Sequence, residues 1–201
     1  MTKRILAFDV SSTTLAYAVL EINEDKSIQF ILANYIKPNK KGNIIERLAD
    51  TRNQIKKVIE DIKPDYIAIE DIVQFMAGAS SAKTIIMLTS FNRMVGLLAY
   101  DFLNRSPELF SVMTIRHCIK RQAGLNVLPT KEDLPLILEK LLNIKFPWEY
   151  SKKGKIKEEN YDKSDAISCA YCYIINMNKE IADDNIKTRK NTGSKSGKIN
   201  K

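Results

Sequence analysis

Four carboxylates stand where apolar segments end or begin. Asp9 closes the run Ile5-Leu6-Ala7-Phe8, Glu70 closes Tyr66-Ile67-Ala68-Ile69, and Asp162 and Asp165 open an apolar stretch from Ala166 to Tyr171. A carboxylate at the tip of a buried strand does little for solubility. Each acid taken alone is also compatible with simple surface solvation. If the three segments meet, four negative charges share one pocket, and neighbouring like charges resist joint ionisation. A divalent cation relieves that repulsion. Hard ions such as Mg²⁺ take oxygen ligands and leave positions open for phosphate oxygens, which suits hydrolysis of a phosphodiester by a two-metal route.

These acids need a scaffold, and the hydrophobic pattern supplies one. Ile5–Val10 reads as a buried central strand. Leu15–Ile22 and Ile28–Ile36 read as two further strands joined by the turn-like Asn23–Lys26, a three-stranded meander. Residues 44–62 repeat apolar positions at helical spacing, and Pro64-Asp65 separates them from a short strand at Tyr66–Ile69. A helix is expected over Ser80–Leu103, capped by Ser80 or Ser81, with Gly96 in its interior marking a close packing contact. Leu109–Ile115 reads as a last strand. Arg116–Ala123 reads as a short helix ended by Gly124, and Glu132–Leu142 as another helix, preceded by a capping arrangement at Thr130-x-x-Asp133. Residues 144–160 are irregular and lysine-rich, and Asp162–Asn176 is the final helix. Strands followed by alternating helices and strands give an α/β fold, a mixed sheet with helices on its faces. In such sheets ligands gather at the carboxyl ends of strands, where Asp9 and Glu70 lie. Asp162 and Asp165 share one helix face.

The 201 residues suit one domain, and 44% apolar content fits a globular core. The net charge of +8 makes a polyanionic partner plausible, although many basic proteins bind no nucleic acid. From residue 179 onward seven basic residues face three acidic ones, a net +4, so half of the surplus lies at that end. There the composition turns to Lys, Asn, Ser and Thr, which predicts a disordered basic tail over 179–201 beside a folded domain over 1–178. Cys118, Cys169 and Cys172 form no disulfide framework and point to a reduced, cytoplasmic protein. Cys169-x-x-Cys172 lies inside an apolar helical pattern and reads as core packing. His117 alone cannot make a zinc site or a His-based triad. Neither a signal peptide nor a membrane span is expected.

The segments carrying the acids resemble those of the RuvC family of Holliday-junction resolvases, within the ribonuclease H-like nucleases. Residues 5–19, ILAFDVSSTTLAYAV, resemble the family's first strand and hairpin. Ile69-Glu70-Asp71-Ile72-Val73-Gln74-Phe75 followed by Ser80-Ser81-Ala82 resembles its second acidic motif, and Asp162-Lys163-Ser164-Asp165-Ala166 its paired acidic motif. Lys120 and Lys131 fall at separations similar to those of two basic residues near the family's active site. The similarity spans about residues 4–176. It implies a five-stranded mixed sheet of ribonuclease H-like type, a homodimer, and Mg²⁺-dependent paired nicking of a four-way DNA junction, with Phe75 or Met76 stacking on bases at the crossover. Three departures stand out. Val10-Ser11 replace the usual Pro-Gly after the first Asp, residues 144–160 form a longer segment, and the basic tail is extra.

On this reading Asp9 bridges two Mg²⁺ ions, with Mn²⁺ as a substitute. Glu70 helps hold the ion that activates water, Asp162 and Asp165 complete the second site, and Lys131 stabilises phosphorane charge. DNA phosphates are expected to meet Arg116, Lys120, Arg121 and Lys131, together with Lys152, Lys153, Lys155 and Lys157, for which an ordinary solvated loop is an equal alternative. Trp148 and Tyr150 can stack on an unpaired base or anchor the loop to the core. The apolar helix over Ser80–Leu103 is a candidate dimer surface. Three rival classes remain. One is a related nuclease acting on flaps or forks, and another is a catalytically idle DNA-binding protein. The third is an actin- or sugar-kinase-type ATP-binding domain, whose Gly-rich loops have no counterpart among seven scattered glycines.

Overall fold

The computed structural model describes residues 2–72 and 82–193, with side chains described to residue 178. The strands are β1 (Lys3–Val10), β2 (Leu15–Ile22), β3 (Ile28–Ile36), β4 (Tyr66–Asp71) and β5 (Glu108–Ser111). The helices are α1 (Ile44–Ile62), α2 (Ala82–Leu103), α3 (Val112–Gln122), α4 (Leu134–Leu142) and α5 (Glu159–Gly193). One five-stranded sheet runs in the order β3-β2-β1-β4-β5. The meander β1-β2-β3 is antiparallel, whereas β4 joins β1 in parallel and β5 joins β4 in parallel. Each parallel join needs a crossover helix, and α1 and α2 provide them.

Side-chain alternation along the central strands decides what each face buries. Leu6, Phe8 and Val10 of β1 and Ile67 and Ile69 of β4 pack with α1 and α2. Ile5 and Ala7 of β1 and Ala68 of β4 pack on the opposite face with α3, α4 and α5. Helices therefore cover both faces, as the order of elements along the chain predicts. The same parity sends Asp9 and Glu70 to the α5 face.

Several boundaries differ from the sequence reading, each for a local reason. The apolar stretch 109–115 is not one strand. Ser111 caps α3, its Oγ accepting from the Thr114 N–H at 3.1 Å, so Val112–Ile115 turn into helix. α4 begins two residues late, because the Asp133 carboxylate reaches back to the N–H and hydroxyl of Thr130, both at 2.8 Å. An added Cβ at Gly96 would meet open space among the described residues, so that glycine marks no close contact. α5 starts three residues ahead of Asp162, and its backbone continues past residue 178. The expected caps Ser80 and Ser81 lie outside the described residues, as do Phe75 and Met76. Among the described residues no helix is long and apolar enough to cross a membrane.

Candidate active site

The parallel register aligns Phe8 with Ile69, so Asp9 and Glu70 follow side by side at the carboxyl ends of adjacent strands. Both point to the face that α5 covers. Asp162 and Asp165 sit in the first two turns of α5, and the four acids converge: Asp9 feels the charges of Glu70, Asp165 and Asp162. Burial, then the Glu70 and Asp165 charges, raises the Asp9 carboxyl well above the usual range. Burial and the Asp165 charge lift Glu70 to about 7, against relief from Arg116 and Lys131. Asp165 is also raised, chiefly by burial. Cys169 underlies the cluster. Its thiol is pushed up by burial and by the Glu70, Asp9 and Asp165 charges, and it is a packed core group, as expected.

Two protein cations balance part of this charge. Lys131 Nζ lies 2.6 Å from Asp162 Oδ1 and 3.6 Å from Asp165 Oδ2. Burial opposes the Lys131 charge, but Asp162, Asp165 and Asp9 outweigh it and raise its pKa. Arg116 turns inward rather than to the surface. Its guanidinium donates to Asp165 Oδ1 at 2.6 Å and to the Thr130 carbonyl at 3.2 Å, in a buried pair. Lys120 is half-buried and Arg121 exposed on α3, and Lys152 and Lys153 are exposed at the tip of the 149–157 loop. Arg121 shares a shallow cavity with His117, Cys118 and Asn176, farther along α5 than the acids. Trp148 packs on Phe146 with centroids 4.9 Å apart and belongs to the core, whereas Tyr150 is exposed.

Four carboxylates against two cations leave an anionic surplus, and Glu70 Oε2 is buried with no hydrogen-bond partner among the described residues. Leaving such an oxygen unpaired is costly unless something else occupies its lone pairs. The donors are all hard oxygens, the chemistry of a Mg²⁺ or Mn²⁺ ligand set. Among the described residues no three acids, histidines or cysteines already stand in coordinating geometry. Lys131 and Arg116 instead pair with the α5 carboxylates. The residues fit a divalent cation that competes with Lys131 for Asp162 and Asp165.

Sequence reasoning missed the residues that hold these acids in place. Asn92 of α2 is buried and donates from Nδ2 to the Glu70 carbonyl at 2.9 Å, fixing the end of β4. Arg93 braces the same corner through Asp71 at 3.2 Å and Asn92 Oδ1 at 3.1 Å. Ser11 takes over the turn after Asp9. Its Oγ accepts from the Thr14 N–H at 2.9 Å and donates to the Thr14 carbonyl at 2.6 Å, closing without glycine a turn for which the family uses Pro-Gly. Arg47, buried, donates to the carbonyls of Ser12 and Asn39, both at 2.6 Å, and ties that turn to α1. Asn92 carried a readable signal, a polar residue on the helical face otherwise made of Phe91, Val95 and Ala99.

A mixed sheet of this order with acids at two adjacent strand ends, faced by acids from the last helix, defines a ribonuclease H-like fold. The profile of the family described as crossover junction endodeoxyribonuclease RuvC matches residues 5–173, and the chain belongs to the RuvC family. Among solved structures it is similar to Thermus thermophilus RuvC in complex with Holliday junction substrate. The two share 14% identity, with 84% of this chain and 91% of that one covered at a TM-score of 0.61. It is also similar to the yeast mitochondrial Holliday junction resolvase Ydc2. Here identity is 16%, with 86% of this chain and 78% of that one covered at a TM-score of 0.60. Comparison with curated protein sequences gives no significant match.

Proposed function

We propose that this chain is a structure-selective DNA endonuclease that resolves four-way junctions by paired, symmetric nicks. The observation that carries the reading is the convergence of Asp9 and Glu70, neighbours on parallel strands, with Asp162 and Asp165 of α5. The proposal includes Mg²⁺ as the natural ion, two per site, with Mn²⁺ able to replace it. A divalent cation bound there supplies a water of lowered pKa and neutralises charge on the phosphate.

Asp9 and Glu70 would hold it from the sheet, Asp162 and Asp165 from α5. Glu70 Oε2, without a partner among the described residues, is available to it. Arg116 anchors one oxygen of Asp165, and the other lies 3.6 Å from Lys131 Nζ, the cation a metal would displace. Lys131, with its side chain 43% exposed, can turn from Asp162 to a phosphate oxygen. Lys120, Arg121, Lys152 and Lys153 supply phosphate contacts, and Phe75 or Met76 a base stack. The apolar side chains of α2 left exposed, Ile86, Leu97, Tyr100 and Phe102, favour a homodimer that sets two sites on opposed strands. Residues 1–178 form the nuclease unit and 179–201 a basic tail, acting on intracellular DNA.

The test is cleavage of synthetic immobile junctions, flaps, forks and linear duplex, each with and without Mg²⁺. Paired nicks confined to the junction, abolished by chelation and by Asp9→Asn, are expected. Equal or faster cutting of flaps or forks would reassign the substrate.

A further inference from the structure

Residues 146–160, just ahead of the α5 acids, fold into a braced finger. Its base is pinned by two polar side chains of the α5 entrance, both inaccessible to solvent. Asn160 is one: its Nδ2 donates to the carbonyls of Glu149 at 2.7 Å and Lys157 at 2.9 Å, and its Oδ1 accepts from the Glu149 N–H at 2.9 Å. Lys163 is the other, 1% exposed, and it stands in sequence between the two acids of α5. Its ammonium donates to the Pro147 carbonyl at 2.7 Å and to Glu149 Oε1 at 3.0 Å and lies 5.8 Å above the Phe146 ring. The second Glu149 oxygen accepts from Lys157 at 2.8 Å and Tyr35 at 3.2 Å. Burying an ammonium is expensive unless every partner is supplied. An ordinary solvated loop has no need of such a fastening.

Above this base the chain closes as a tight hairpin. Tyr150 bridges Ile156 antiparallel, the Ser151 N–H donates to the Lys155 carbonyl at 2.7 Å, and Gly154 takes φ +75° at the turn. The tip, Ser151–Ile156, holds Lys152, Lys153 and Lys155 and no acid. The bridged pair Tyr150 and Ile156 is 56% and 46% exposed, an apolar strip beside the three lysines.

We propose that this hairpin is a preformed grip for the sugar-phosphate backbone of a DNA arm, with the lysines on phosphates and Tyr150 on the sugar face, held in place by Lys163. It rests on the endonuclease reading and adds to it where and how the substrate arm is held. Because Lys163 and Asn160 belong to the turn that carries Asp162, the grip and the cleavage site are one rigid piece. Lys163 is in this sense a positioning residue.

The test is fluorescence anisotropy of a labelled four-way junction against KCl concentration, in EDTA so that nothing is cut. Each lost phosphate contact lowers the salt slope by about 0.9. Replacing Lys152, Lys153 and Lys155 together by Ala removes two to three contacts, so the affinity lost between 50 and 200 mM KCl shrinks by about 10- to 40-fold. Tyr150→Ala weakens binding with the slope unchanged. Lys163→Met, or Glu149→Gln if that variant does not fold, reproduces the slope loss, and adding the three Ala substitutions to it produces no more. A wild-type slope in the triple variant, or losses that add, overturns the grip. Failure of the wild type to prefer the junction over linear duplex would instead count against the endonuclease reading itself.

Discussion

Glu70→Gln should make the metal-free protein more stable while destroying its cleavage activity. Glu70 titrates near 7 rather than at its ordinary 4.5, because burial and the Asp165 charge oppose its ionisation. The folded state therefore holds a proton that the unfolded chain has already released between those two values. Stability falls as pH rises from 4.5 to 7, and above 7 the whole penalty is present. At 1.36 kcal/mol per unit the difference amounts to about 3 kcal/mol. An amide of the same shape carries no such penalty. Urea unfolding in EDTA, followed by circular dichroism from pH 5 to 8.5, measures it. Glu70 should account for about 3 kcal/mol of the wild-type loss across that range, so Glu70→Gln should lose less, with the dependence from the raised Asp9 remaining, and be more stable at pH 8. Mg²⁺ at 100 times its dissociation constant should return about 2.7 kcal/mol to the wild type and far less to the variant. Equal stability of the two proteins at pH 8 without metal, or a less stable variant, would refute the claim that Glu70 sits in a crowded anionic pocket.

Three further outcomes follow from the same geometry. Arg116→Met removes the close buried partner of Asp165 and leaves it only the 3.6 Å pair with Lys131, and should cost up to about 3–5 kcal/mol, with much of that recovered in the double variant with Asp165→Asn; thermal melts in EDTA check it. Lys131→Met should lower single-turnover cleavage by about 10²–10³ with junction affinity changed far less, and equal losses in rate and affinity would assign the lysine to binding instead. Asn92→Ala, which frees the Glu70 carbonyl, should cost about 1–3 kcal/mol and reduce cleavage, whereas Asn92→Ala with wild-type rate and stability would remove it from the site.

The scaffold was legible wherever periodicity was strong. β2 and β3 fall where alternation and the Asn23–Lys26 turn place them, and α1 where its apolar spacing does. The four acids stood out in the chain because Asp9 and Glu70 each end an apolar run, on one edge if those strands are parallel neighbours, and Asp162 and Asp165 lie one helical turn apart at the start of another. What the chain did not disclose were hydrogen bonds to distant backbone. Ser111 as a cap, Ser11 as the closure of a turn and Asn92 on the Glu70 carbonyl all depend on a partner that only the tertiary fold brings near. Arg116 shows the same limit. Its charge reads as a surface phosphate contact, yet Asp165, 49 residues later, draws it inside. The 144–160 segment read only as irregular and lysine-rich, with a solvated loop and a DNA contact as equals, because its anchors, Asn160 and Lys163, resemble any other polar residues at a helix entrance.

Counting the ions tests the account most directly. Isothermal titration of Mn²⁺ into metal-free protein, with electron paramagnetic resonance of bound Mn²⁺ as a second count, should give two ions per chain for the wild type. Asp9→Asn and Glu70→Gln should each lose at least one, with the folds intact. Mn²⁺ binding of wild-type stoichiometry and affinity in Asp9→Asn, or none at all in the wild type, would contradict a cation site built by Asp9, Glu70, Asp162 and Asp165.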